Sequence, residues 1–120
     1  KGLDAVKSNV ARYGLLDDQI QFLQGWFSET IPHAPISALS VLRLDGDTYP
    51  STMDGLELCF PKLSVGGFVI VDDYYSLASC KRAVDDYRER HGIDEEIVRI
   101  DGLSVYWRNE VPWGKRENAR

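Results

Sequence analysis

A chain of 120 residues, 43% of them hydrophobic, is long enough to bury one core but short for a complete α/β enzyme domain, so one domain or part of one is expected. Its 14 basic and 19 acidic residues give a formal net charge of -5, which provides no broad positive surface of the kind that nucleic-acid backbones require. No apolar run approaches the ~20 residues needed to span a bilayer, and no charged-then-apolar leader opens the sequence, so it reads as a soluble, cytoplasmic protein.

In KGLDAVKSNVARYGLL the apolar positions Leu3, Val6, Val10 and Tyr13 recur every three or four residues, which predicts a helix that Gly14 can stop. IQFLQ, from Ile20 to Gln24, alternates apolar and polar residues as a half-buried strand does. The following GWFSETIPHAPIS holds two prolines and reads as a loop with a short helical turn; His33 within it is a solvated loop histidine. ALSVLRL, Ala38 to Leu44, is apolar enough for a strand buried on both faces. Ser51 can cap a helix from Ser51 to Leu63, whose Met53, Leu56, Phe60 and Leu63 share a face, with Asp54 adding negative charge at its N-terminus. Gly66 and Gly67 close the connection, and FVIV, Phe68 to Val71, reads as a central parallel strand. A further helix aligns Leu77, Cys80, Val84 and Tyr87 and ends at His91-Gly92. EIVRI and LSVYWR, joined at Asp101-Gly102, form a terminal hairpin, and the tail after Asn109 has no period and is expected to be loose. Cys59 and Cys80 both fall on apolar helix stripes, where a thiol acts as a small hydrophobe.

Strands alternating with helices predict a Rossmann-like α/β fold: a mainly parallel sheet with helices on both faces and a C-terminal antiparallel hairpin at its edge. Ligands of such sheets bind beyond the carboxyl ends of the strands, where Asp45, Asp72 and Asp73 lie. If the strands ending at Leu44 and Val71 are neighbours, ~4.8 Å apart, these carboxylates converge, and like charges so close raise one another's pKa unless a cation neutralises them. Mg²⁺, a hard ion with octahedral oxygen coordination, suits such a set. Asp47 is divided between that role and ordinary turn chemistry in Asp-Thr-Tyr-Pro.

The blocks FLQGWFSETIP, LRLDGDTYPSTMDGLELCFPKLSVGGFVIVDDY and CKRAVDDYR, with the closing VYWR, resemble the macrocin O-methyltransferase (TylF-type) family over roughly Leu3 to Arg108. That family consists of class I S-adenosylmethionine-dependent enzymes that methylate sugar hydroxyls of natural products with Mg²⁺. The resemblance implies that Asp45 is both a metal ligand and the catalytic general base, and that Asp72 and Asp73 are the remaining ligands. Catechol O-methyltransferases place a lysine base three residues after the first aspartate; Thr48 stands there in this sequence, which leaves Asp45 as the base. The resemblance also places Gly25, Trp26 and Phe27 in the loop bordering the adenine of the cofactor, with an aromatic ring on the purine face or in the core. Tyr49, Tyr74 and Tyr75 flank the proposed metal and are candidates for an acceptor pocket.

The resemblance has a gap. A complete enzyme of this class begins with a strand, a Gly-rich loop for the methionine end of the cofactor, a helix and a second strand, and no G-x-G-x-G occurs in these 120 residues. Residues 1–108 are therefore expected to be the C-terminal portion of one methyltransferase domain, followed by the loose tail 109–120, with about half of the cofactor site lacking and the piece inactive alone. Without the central strand, the strand ending at Asp45 has a free edge, which predicts a homo-oligomer. Two rival functions stand beside methyl transfer: a nucleotide-sugar glycosyltransferase using Asp45-Gly46-Asp47 as a DxD metal site, and a non-catalytic half-domain that only associates.

Overall fold

A computed structural model describes residues 2–116. The chain forms two compact units, Lys1–Ala34 and Pro35–Arg120.

In the first unit, the helix α1 (Leu3–Arg12) follows the predicted period and stops at Gly14, whose positive φ of 70° no β-carbon obstructs. The four-residue α2 (Phe27–Thr30) and a 3-10 turn over Ile31–His33 supply the expected helical turn. The strand predicted at Ile20–Gln24 does not form: the segment is irregular, and no described strand pairs with it. Alternation gives it a suitable face, but a strand exists only where a neighbour meets its N–H and C=O groups.

The second unit is built on a four-stranded mixed sheet in the order β1 (Leu39–Leu44), β2 (Leu63–Val71), β4 (Val105–Arg108), β3 (Val98–Arg99). β1 and β2 run parallel, and β4 is antiparallel to both β2 and β3. The register sets Leu42 beside Val69 and Val69 beside Trp107, and likewise Leu44, Val71 and Val105 in the next row; all six side chains are buried. Two helices cover that face. α3 (Tyr49–Cys59) buries Met53, Leu56 and Cys59, and α4 (Ala78–Arg90) buries Cys80, Ala83, Val84 and Tyr87. Phe60, just beyond α3, joins the layers, its ring 5.8 Å from that of Tyr87 and 6.1 Å from that of Trp107. Both cysteines are buried free thiols, as their stripes predict.

The opposite face of the sheet is more open. Val41 and Phe68, neighbours in register, are 51% and 37% exposed, so β1 is not buried on both faces as its composition predicts. The alternation of its burial follows from α3 and α4 lying on one side.

Local chemistry moves several boundaries. α3 starts at Tyr49, with Thr48 and not Ser51 as its cap: Thr48 Oγ1 accepts from the Ser51 N–H and the Ser51 hydroxyl accepts from the Thr48 N–H, a reciprocal capping box. Pro50 then sits in the first turn, where a missing N–H is harmless. The helix stops at Cys59 and a 3-10 turn over Phe60–Lys62 replaces its expected last turn. Gly66 and Gly67 lie inside β2 and not at its entrance, at a register irregularity between Leu39 and Val41. A β-carbon at Gly67 would lie 2.7 Å from the Ser40 carbonyl oxygen, so glycine lets the two strands approach. α4 ends as predicted, with Gly92 at φ 62°. In the β3–β4 turn, Asp101 Oδ1 accepts from the N–H groups of Leu103 and Ser104.

The tail expected to be loose is anchored as far as Arg116; residues 117–120 lie outside the described set. The guanidinium of Arg116 pairs with the carboxylate of Glu95 and donates to Asn109 Oδ1, and the two ionic side chains are only 4% and 7% exposed. Trp113 packs edge-on against Phe60, 5.8 Å between centroids. The segment lacks periodicity because a single 3-10 turn over Trp113–Lys115 and two individual anchors hold it.

Candidate cation and methyl-transfer site

β1 and β2 are adjacent, parallel and aligned at Leu44 and Val71, so the residues that follow them emerge at the same end of the sheet. The Asp72 N–H extends the ladder to the Leu44 carbonyl at 3.1 Å. At this end Asp45, Asp47 and Asp73 each present a carboxylate oxygen, and these atoms lie within 4.8 Å of one another. Asp45 and Asp47 are exposed and Asp73 is half-buried.

Of the candidate carboxylates Asp45, Asp72 and Asp73, the first and last thus lie together, with Asp47 beside them. Asp72 turns aside to Arg43, whose Nε donates to Asp72 Oδ1 at 3.1 Å and whose Nη2 bonds Oδ2. The strand period explains the difference. Arg43 stands beside Ile70 in register, and Asp72, two residues beyond Ile70, leaves the strand on that same face, while Asp73 follows the parity of Val71. Sequence adjacency groups Asp72 with Asp73, and the pleat separates them. The sequence sign for Asp47 is Gly46: a β-carbon there would come within 2.7 Å of Ser51 Oγ, so the two aspartates flank a position that must remain bare.

The loop is tied from several sides. Thr52 Oγ1 donates to the Gly46 carbonyl and Ser79 Oγ donates to the Asp47 carbonyl, each at 3.2 Å. On the other tip, Ser76 Oγ donates to Asp73 Oδ1 at 3.0 Å and Ser104 Oγ to the Asp72 carbonyl at 2.8 Å. The Asp45 carboxyl is held above its ordinary value, first by loss of solvation, then by the negative charge of Asp72 and a hydrogen bond with Asp73; Arg43 opposes the shift. Carboxylates crowded with too little neutralising charge behave in this way. A hard divalent cation answers that excess, and the all-oxygen donor set of Asp45, Asp47 and Asp73 fits Mg²⁺.

The other candidates are placed as follows. Gly25, Trp26 and Phe27 belong to the first unit. Gly25 adopts φ 138°; Trp26, which precedes α2, is 77% exposed and Phe27 is 41% exposed. Tyr49 donates to Asp86 Oδ2 at 2.8 Å and Tyr74 to Asp85 Oδ1 at 2.5 Å, which commits both hydroxyls to α4. Tyr75 is 42% exposed, with the Arg99 guanidinium 4.1 Å from its ring centroid. His33 is exposed, and His91 lies between the rings of Tyr87 and Trp113.

Comparison with known proteins gives this geometry its context. The family model for Macrocin-O-methyltransferase (TylF) matches residues 2–109. The chain belongs to that family. Mycinamicin III 3''-O-methyltransferase of Micromonospora griseorubida is 57% identical over 109 residues, which cover 91% of this chain and 42% of the relative. Demethyldecarbamoylnovobiocin O-methyltransferase of Streptomyces niveus is 53% identical over 104 residues, 87% of this chain and 40% of its own. Among solved structures, the O-methyltransferase NovP superposes with a TM-score of 0.89 at 50% identity, covering 92% of this chain and 46% of NovP. The apo structure of CalS11, TDP-rhamnose 3'-O-methyltransferase, shares the fold at a TM-score of 0.65 and 21% identity. The chain therefore spans about two-fifths of the length of the curated relatives it matches. Family and superposition agree with the Rossmann-like methyltransferase expectation: a mixed α/β sheet with an antiparallel strand pair at its end.

Proposed function

We propose that this chain carries the cation-binding and base-bearing part of an S-adenosylmethionine-dependent, Mg²⁺-assisted O-methyl transfer to a sugar hydroxyl of a natural product. The observation that supports it is the meeting of Asp45, Asp47 and Asp73 at the tips of two neighbouring parallel strands, in a chain of this family. The acceptor class draws on the relatives, one named for the 3'' position of a mycinamicin and another, from Streptomyces olivaceus, for the 4' position of a rhamnosyl tetracenomycin.

Asp45, Asp47 and Asp73 would hold the cation, with Asp72 behind them under the control of Arg43. When bound, Mg²⁺ lowers the pKa of an acceptor hydroxyl, and the sulfonium cofactor offers an electrophilic methyl group. The Asp45 carboxylate, at the tip of the strand beside the proposed cation, is the group we assign to take the hydroxyl proton. The hydroxyls of Thr52, Ser76 and Ser79 hold the carboxylate-bearing loops still, so that little ordering remains for the moment of reaction. By the family resemblance, Trp26 and Phe27 would border the purine of the cofactor, and Gly25 supplies the backbone turn before them.

Calorimetric titration tests this reading. Mg²⁺ is expected to bind the wild-type chain and to bind Asp45→Asn at least ~100-fold more weakly. S-adenosylhomocysteine is expected to evolve more heat with Mg²⁺ present than without. Absence of Mg²⁺ binding, or heat from a nucleotide diphosphate in place of S-adenosylhomocysteine, would overturn it.

A further inference from the structure

The peptide between Asp45 and Asp47 is held by groups that contact neither carboxylate. Thr52, on the first turn of α3, is 1% exposed, and its hydroxyl donates to the Gly46 carbonyl. Its N–H already satisfies the helix by donating to the Thr48 carbonyl at 3.1 Å, so the side-chain bond adds nothing to the helical ladder. The bond satisfies both the buried hydroxyl and the Gly46 carbonyl, and a valine of similar shape would leave that carbonyl without this donor. The other side of the loop is closed by Ser51, whose Oγ would lie 2.7 Å from any β-carbon at Gly46. From α4, Ser79 reaches the Asp47 carbonyl. Both helices thus converge on two consecutive carbonyls, Gly46 and Asp47, whose orientation sets how far apart the two flanking carboxylates stand.

We infer that Thr52 is a positioning residue, whose buried hydroxyl fixes the separation of the Asp45 and Asp47 carboxylates through the Gly46 carbonyl and so sets cation affinity. The inference rests on the cation reading above. Thr52 holds Gly46 by a directed bond.

Mn²⁺ is the probe, its free ion followed by electron paramagnetic resonance as it is titrated with the 120-residue chain. Thr52→Val is expected to weaken Mn²⁺ binding about tenfold, and Thr52→Ser to stay within about twofold of wild type. Thr52→Ala provides a second deletion of the hydroxyl and is expected to show the same loss of affinity whatever its stability. In metal-free protein, hydrogen exchange of the amides over 45–48 is expected to quicken in Thr52→Val. Wild-type affinity in a folded Thr52→Val, or unchanged exchange of that loop, overturns the inference. Faster exchange with undiminished Mn²⁺ affinity overturns it as well, because the bond would then hold the loop without governing the ligands. A wild-type chain that takes up no Mn²⁺ fails at the cation reading itself, while the exchange measurement still reports separately on the Thr52 bond.

Discussion

Arg43 and Asp72 show how one register position decides a chemical role. Arg43 is 62% exposed in its side chain, so its pair with Asp72 adds little stability, within about 1 kcal/mol. Its charge also acts on the cluster, opposing the crowding that raises the Asp45 carboxyl. Arg43→Ala is therefore expected to leave the urea midpoint almost unmoved and to tighten Mn²⁺ binding several-fold, by releasing Asp72 and removing a competing positive charge. Weaker Mn²⁺ binding in that variant would mean that Arg43 supports the cluster. At this scale the sequence was half legible. Asp45, Asp72 and Asp73 were marked by their position after apolar strands, but that Asp47 gathers with Asp45 and Asp73 while Asp72 pairs with Arg43 was not, because composition does not tell which face of the pleat a side chain leaves.

Elements were legible wherever their own period sufficed. α1 and α4, with Gly14 and Gly92 as stops, and the core of β2 follow from spacing alone. The start of α3 shifted because Thr48 and Ser51 are both capping residues, and their reciprocal bonds favour the earlier one. Ile20–Gln24 failed as a strand because its alternation described a face and not a partner. β1 has the complementary problem: among the described residues it pairs with β2 alone, so its outer edge carries unpaired backbone groups beside the exposed Val41. We propose that this edge pairs with a second copy of the chain. Light scattering after size exclusion should then give about twice 13.6 kDa for the wild type, and Val41→Lys should shift the mass to that of one chain. A wild-type mass of one chain would refute edge pairing.

At the scale of the whole molecule, the Glu95–Arg116 pair ties the end of the described chain to the segment after α4. Burial pushes the Glu95 carboxyl upward, but the Arg116 guanidinium and the Glu110 N–H outweigh it and hold Glu95 below its ordinary value of 4.5. A depressed carboxylate stabilises the fold at all pH values above its unfolded pKa, and that contribution is lost as pH falls through the folded pKa. Unfolding free energy should accordingly drop below pH 4.5 in the wild type. Glu95→Gln should lose about 3 kcal/mol at pH 7, since Arg116 is left buried without its counter-charge, and should show a flatter acid slope. Equal slopes in urea titrations at pH 3, 4 and 7 would place the acid sensitivity elsewhere.

By itself the sequence determined the α/β class, the helices and the family, because all of these are written in local spacing and in long motifs. Tertiary structure alone decided which carboxylates meet, that Thr52 and Ser79 hold the loop between them, and that Arg116 is a buried anchor. Those outcomes depend on strand register and on contacts between residues far apart in the chain, and neither quantity has a local signature.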